Sequence, residues 1–199
     1  APGLGYYAHD SRKFGTLPQS GSDFVTAPEL SPLFGRALAA QVAQALAASN
    51  THEVWEFGAG SGALALQLLQ ALGEQVHRYT IVDISGSLRA RQKQTLAAHG
   101  DKVRWVSELP QTLQGVVVGN EVLDAMPVKL LARVQGAWFE RGVALKPGPA
   151  PGPAETSGPG FVWQDRATDL RPPVEIAGVH DYVTEIHQQA DGFVRTLGE

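Results

Sequence analysis

The residues of this chain whose types and spacing could do chemistry are Glu56, the glycines of Gly58-Ala59-Gly60-Ser61-Gly62, and Asp83. Glycines at 58, 60 and 62 let the backbone come close to a ligand where a side chain would collide. A carboxylate about twenty residues further on can accept hydrogen bonds from both hydroxyls of a ribose. Together they make half of a nucleotide-type site. A second polar set, Asn120, Glu121 and Asp124, follows the apolar run Gly115-Val116-Val117-Val118-Gly119. If the chain after Asn120 starts a helical turn, Glu121 and Asp124 stand on one side of it and can grip a planar guanidinium or an ammonium by charge-assisted hydrogen bonds. The plainer reading is that Asn120 and Asp124 cap a turn.

The glycines alone do not choose the cofactor, because Gly58-x-Gly60-x-x-Ala63 also satisfies the dinucleotide fingerprint in its Gly-x-Gly-x-x-Ala form. Glu56 tips the choice. It is expected at the mouth of the first strand, where a pyrophosphate would pass, and two negative groups at one helix N-terminus repel. S-adenosylmethionine carries no phosphate, and its ammonium and sulfonium tolerate a nearby acid. The expected cofactor is therefore S-adenosylmethionine. An NAD-dependent oxidoreductase is the rival, and a tight turn holding no ligand is the plainest alternative.

These residues need elements to position them. Val54-Trp55-Glu56-Phe57 reads as a buried strand, and Leu64, Leu66, Leu68, Leu69 and Leu72 as the apolar side of a helix stopped by Gly73. Residues 77–83 predict a second strand ending at Asp83, residues 87–98 a helix ended by His99-Gly100, residues 103–106 a third strand and residues 115–119 a fourth. Strands alternating with helices imply an α/β fold, a Rossmann-like doubly wound parallel sheet. Ahead of it, residues 1–25 read as irregular. Thr26 to Glu29 has capping-box spacing, and Ser31-Pro32 opens a helix running to about residue 48. Behind it, residues 128–134, 138–145 and 161–164 predict an inserted antiparallel β meander, interrupted by a mobile Pro/Gly loop from Lys146 to Gly160. A last helix is expected from about residue 179 to 197. The chain thus divides into 1–50, a loop and helix covering the cofactor site; 51–127, the Rossmann-like core; 128–170, the meander; and 171–199, a helix returning to the core. No strand follows that helix, so the chain reads as a fragment.

Composition narrows the partners. With 199 residues, 43% hydrophobic, 18% charged and a net charge of −4, the chain suits a packed domain and lacks the clustered basic face that nucleic acid or an anionic membrane would require. It contains no cysteine, which suits a cytoplasmic location. His9, His52, His77, His99, His180 and His187 share no metal-ligand spacing, so no metal site is expected.

The chain resembles the MidA-like S-adenosylmethionine-dependent methyltransferases, whose mitochondrial members act as complex I assembly factors. The resemblance covers most of the chain. It rests on Gly5-Tyr6-Tyr7, on the block from Gly21-Ser22-Asp23-Phe24 through Thr26-Ala27-Pro28-Glu29-Leu30-Ser31-Pro32-Leu33-Phe34-Gly35, on Glu56-Phe57-Gly58-Ala59-Gly60-Ser61-Gly62, and on Asn120-Glu121-Val122-Leu123-Asp124-Ala125-Met126-Pro127. Two departures stand out: Ser22 separates Gly21 from Asp23, and the family's C-terminal portion is absent. The resemblance implies a class I methyltransferase with an inserted subdomain and, through the mitochondrial members, methylation of a protein arginine. Taken with the residue reading, it places the methionine part of the donor at Glu56, Gly58, Ala59, Gly60 and Gly62, and the ribose at Asp83. Ile84 and Leu109 then sandwich the adenine, with Glu108 near its amino group and Asn120 at the edge of the site. Glu121 orients the acceptor nitrogen, supported by Asp124 and Asn120. A protein substrate is the expected partner, a homodimer is compatible, and a non-catalytic assembly factor is the reading from a different class.

Overall fold

The computed structural model describes residues 25–146 and 160–198, which form two compact units divided between Val122 and Leu123. The expectations for residues 1–24 and for most of the Pro/Gly run fall outside the described residues. The first unit is an α/β layer structure. Its four strands, β1 (Glu53–Phe57), β2 (Arg78–Val82), β3 (Val103–Val106) and β4 (Val116–Gly119), are parallel and lie in the order β3-β2-β1-β4. β1 is central and buried except at Glu53, its first residue, which is partly exposed. Helices α1 (Ala27–Leu30), α2 (Pro32–Ser49), α3 (Ala63–Leu72) and α4 (Gly86–Thr95) complete the unit. The core joins Val54, Tyr79 and Ile81 of the sheet to Leu64, Leu68 and Leu72 of α3 and to Val42 and Leu46 of α2.

Local sequence explains most of the boundaries. Ser31 caps α2, its hydroxyl accepting the Leu33 N–H at 3.2 Å, with Pro32 in the first turn. The helix ends at Asn50 in a left-handed conformation, φ 51°. The expected capping box at Thr26 to Glu29 does not form, because the Thr26 side chain makes no cap bond and α1 lasts a single turn. Instead Gln67 on α3 fastens this segment. Its amide donates to the Pro28 carbonyl at 2.6 Å and accepts the Gly35 N–H at 3.0 Å. A Cβ at position 35 would collide with the Gln67 side chain, so Gly35 is the residue that lets α2 and α3 meet here.

The second unit is an antiparallel sheet of β5 (Lys129–Val134), β6 (Ala137–Leu145), β7 (Phe161–Ala167) and β8 (Tyr182–Ile186) in the order β7-β6-β5-β8, followed by α5 (Gln188–Gly198). The three expected meander strands are present. The expected long helix from residue 179 is not: residues 182–186 form β8, paired antiparallel with β5, and the helix starts only at Gln188. Tyr182, Thr184 and Ile186 turn inward while Val183 and Glu185 are exposed, a period of two that mimics helical spacing over so short a stretch. Leu131, Trp138 and Ile186 form the small core, against which Leu170 and Tyr182 pack. Buried Arg133 holds the connection before β8. Its guanidinium lies over the Tyr182 ring, 4.9 Å from the centroid, and donates to the carbonyls of Ile176, Gly178 and His180.

Candidate cofactor site

Parallel register lines up the strand ends of the first unit. Phe57 stands beside Val82 and Gly119, and Val82 beside Val106. The segments that leave these ends, residues 58–62, 83–85, 107–109 and 120–122, therefore emerge along one sheet edge. β2 and β4 flank β1 on opposite sides, so this edge contains the reversal in strand order, the crevice where open α/β sheets bind ligands.

The glycine segment turns because all three glycines adopt positive φ: 64° at Gly58, 52° at Gly60 and 85° at Gly62. The Gly62 N–H returns to the Ala59 carbonyl at 2.8 Å, closing the turn, and the Gly62 carbonyl receives Leu66 N–H at 3.0 Å, beginning α3. Gly62 is the N-cap residue and brings no side chain, and no side-chain hydrogen bond caps the first turn of α3. At Gly58 a Cβ would lie 2.9 Å from the Val122 side chain. Two further carbonyls of the loop are tied to α4: Gly60 accepts from Gln92 Nε2 at 3.1 Å, and Ser61 from the Thr95 hydroxyl at 2.9 Å.

Asp83 lies just beyond β2, partly buried. Its Oδ1 accepts the Ser85 N–H and its Oδ2 accepts Gln92 Nε2, both at 2.8 Å. A carboxylate offers about four lone-pair sites; each oxygen of Asp83 thus keeps acceptor capacity for a vicinal diol. Ile84 projects into the open, 84% exposed, with Leu109 and Glu108 exposed in the segment after β3 and Asn120 half-buried at the end of β4. Gly58, Ala59, Gly60, Gly62, Asp83, Ile84, Glu108, Leu109 and Asn120 all lie in the segments that leave the strand ends of this edge, whereas Glu56 lies within β1.

Two expectations need correction. Glu56 does not stand at the mouth of its strand. It is 1% exposed, accepting the Tyr79 hydroxyl at 2.8 Å among apolar neighbours, and burial pushes its carboxyl up to about 7 despite the opposing effect of that hydrogen bond. It therefore presents no carboxylate to repel a pyrophosphate, and the charge argument against a dinucleotide fails even though the cofactor it favoured is supported on other grounds. Nor does a helical turn follow Asn120. Glu121 is left-handed, φ 52°, which a right-handed helix forbids, and residues 120–128 hold bends and one turn closed by Met126 N–H on the Leu123 carbonyl. Glu121 is exposed at the end of the first unit, and Asp124 belongs to the second.

Gln92, Thr95, Trp105 and Val122 shape the site without having been singled out in the sequence. A glutamine in a polar helix looks solvated; only its complete burial distinguishes it. Among the described residues no group of three His, Cys, Asp or Glu side chains is placed to hold a metal.

Residues 33–199 match the sequence model of a family described as "Putative S-adenosyl-L-methionine-dependent methyltransferase". The chain belongs to that family. Solved relatives agree with its fold. A Burkholderia thailandensis protein crystallised with S-adenosyl-homocysteine is 48% identical with a TM-score of 0.83, covering 99% of this chain and 51% of its own. A native crystal structure of an uncharacterised Burkholderia thailandensis protein is 47% identical with a TM-score of 0.72, covering 89% of this chain and 48% of its own. Among curated proteins, the mitochondrial protein arginine methyltransferase NDUFAF7 homolog of Caenorhabditis elegans is 28% identical, covering 70% of this chain and 39% of its own length. The mitochondrial protein arginine methyltransferase NDUFAF7 of Danio rerio is 25% identical, with 73% and 41% covered. The chain thus spans about half the length of these solved relatives and about two fifths of these curated ones. The class I methyltransferase fold expected from the sequence is the one observed.

Proposed function

We infer that this chain carries the donor site of an S-adenosylmethionine-dependent methyltransferase whose acceptor is an arginine nitrogen of a protein. The observation that carries the reading is the shared edge of the parallel sheet, where a glycine turn and a diol-ready carboxylate meet in a chain 48% identical to a protein crystallised with S-adenosyl-homocysteine. The residues fit the group. The positive-φ glycines bring the backbone of the turn to the strand ends, the first turn of α3 has no side-chain cap and could receive a carboxylate head, Asp83 has acceptor capacity for the ribose, and exposed Ile84 offers an apolar face for adenine.

When bound, the donor supplies an electrophilic methyl group on a sulfonium. Asn120 and Glu121, leaving β4 at this edge, would hold the acceptor. An arginine nitrogen is a poor nucleophile because its lone pair is delocalised and its pKa exceeds ~12. A carboxylate at Glu121 would draw the positive charge toward the other nitrogens, and fixed orientation would contribute most of the acceleration. The arginine preference is supported by the names of the curated relatives, at 25% to 28% identity.

The test is calorimetric titration of the chain with S-adenosylmethionine, S-adenosyl-homocysteine and NAD, repeated with Asp83→Ala. Micromolar binding of the first two, about −8 kcal/mol, lost in the variant, supports the donor site. Binding of NAD alone overturns it. The acceptor is tested by incubation with radiolabelled donor and arginine-containing peptides; label on lysine or on small molecules only would reject the arginine reading.

A further inference from the structure

The carboxamide of Gln92 is fully buried and makes three hydrogen bonds, each to a different part of the first unit. Its Nε2 donates to the Gly60 carbonyl at 3.1 Å and to Asp83 Oδ2 at 2.8 Å, while its Oε1 accepts the indole N–H of Trp105 at 2.9 Å. The orientation of the amide follows from chemistry alone. An indole N–H can only donate, so the oxygen of Gln92 must face Trp105, and the two acceptors, a carbonyl and a carboxylate, must face its NH2. All three demands agree. Turning the amide over would set oxygen against oxygen at two contacts and N–H against N–H at the third.

We propose that Gln92, locked by Trp105, is the positioning residue of the donor site, holding the glycine turn and the ribose carboxylate at one fixed separation. This rests on the donor-site reading given above. The tether acts on both ends of the ligand. At Gly60 it fixes the peptide plane, and with it the direction of the Ser61 N–H, which in a trans peptide points opposite to the Gly60 carbonyl. At Asp83 it occupies one lone pair of Oδ2 while the Ser85 N–H occupies one of Oδ1, so the carboxylate cannot rotate and its remaining lone pairs keep one direction. Thr95, one helical turn along α4, repeats the tether at the Ser61 carbonyl. Arg91 and Lys93 flank Gln92 along α4, Lys93 lying over the Trp105 ring at 5.7 Å; Gln92 itself is neutral and carries no charge to lose.

The decisive variant is Gln92→Glu, whose carboxyl has the same shape. Ionised, it sets a second negative charge against Asp83 and loses the donor to Gly60; protonated, it again donates to Asp83 and accepts from Trp105. S-adenosyl-homocysteine affinity should therefore fall by about tenfold or more relative to the unaltered chain at pH 8 and recover toward it as pH is lowered to 5.5, with folding checked by circular dichroism at each pH. A pH-independent ratio, or no loss, overturns the proposal, since a residue that only fills space would show no recovery. Should that variant fail to fold, Trp105→Phe carries the test: it removes the donor that orients the amide, together with part of the ring beneath Lys93. It should weaken binding in the Gln92-containing chain and cause no further weakening in a Gln92→Met background, where no amide remains to be oriented; equal effects in both backgrounds overturn the proposal. If the unaltered chain binds no S-adenosyl-homocysteine, the donor-site reading fails, and this inference with it. Binding by the unaltered chain with a pH-flat variant rejects the tether alone.

Discussion

Tyr79 donates its hydroxyl proton to Glu56 at 2.8 Å, and both side chains are sealed between the parallel sheet and its helices. The bond joins adjacent strands, β1 and β2, one residue short of the glycine turn's own strand end. Burial holds the Glu56 carboxyl near 7 against an ordinary value of 4.5, and the Tyr79 phenol well above its usual range. The unfolded chain releases the Glu56 proton near 4.5 and the folded one near 7, so the folded state binds more protons between those values. The stability this group contributes is fully present below 4.5 and lost as pH rises to about 7. At about 1.4 kcal/mol per pH unit, the whole loss is on the order of 3 kcal/mol. Glu56→Gln should remove it: in urea unfolding the variant should gain on the unaltered chain by about 2 kcal/mol between pH 5 and pH 8. A constant difference across that range would show that the carboxyl does not titrate as described.

Gly58 meets two obstacles to a side chain: its φ of 64° and the Val122 methyl 2.9 Å from where a Cβ would stand. Gly73 shares the positive φ, 54°, without the obstacle, though its ψ of −122° lies outside the left-handed helical well. Gly73→Ala should therefore cost backbone strain alone, about 1–3 kcal/mol. Gly58→Ala should cost more and weaken S-adenosyl-homocysteine binding, and adding Val122→Ala should restore part of the loss. Denaturant midpoints and titrations on the two single variants and the double decide this; no rescue would mean that conformation alone excludes a side chain at 58.

Glu121 holds an exposed, left-handed backbone that carries a non-glycine residue at a cost of about 1 kcal/mol. Glu121→Gly should raise thermal stability and abolish methyl transfer, leaving donor binding intact. Glu121→Gln should leave stability nearly unchanged and cut transfer by about a hundredfold. Transfer that survives both substitutions would remove Glu121 from the acceptor site.

Arg133 satisfies three carbonyls with one planar guanidinium. A lysine ammonium has a single nitrogen and no flat face to lay on Tyr182. Arg133→Lys should destabilise the second unit by about 2–3 kcal/mol and open the segment before β8 to proteases. Limited proteolysis followed by mass spectrometry would locate the new cleavage; an unchanged digestion pattern would show that the other contacts of this segment suffice.

The first unit was legible in the sequence because its elements differ in period and are punctuated: Ser31-Pro32 opens one helix, Gly73 closes another, and the apolar strands stand between them. β8 was not legible, since five residues that alternate also fit one helical turn, and only pairing with β5 decides. The placement of Asp83 at the sheet edge followed from strand–turn–helix logic, whereas that of Glu56 did not. Counting residues put Glu56 near the ligand, but its side chain is buried against the Tyr79 hydroxyl of the neighbouring strand. Gln92 carried no sequence signal at all. Its partners Gly60, Asp83 and Trp105 lie on three separate elements that only the tertiary fold brings together.

The strand order β3-β2-β1-β4 also sets a timetable. Val54 meets Tyr79 across a single crossover through α3, but meets Val116 only after β2, α4 and β3 have been passed. Because local pairing is entropically cheaper than distant pairing, β1 keeps one naked side until the fourth strand docks. The strand that leads into the glycine turn is thus the last to be enclosed, and Val122, which packs on Gly58, arrives with it. A nucleoside added during refolding would find its cradle unfinished until the final step; it should slow the chain's unravelling far more than it hastens its assembly.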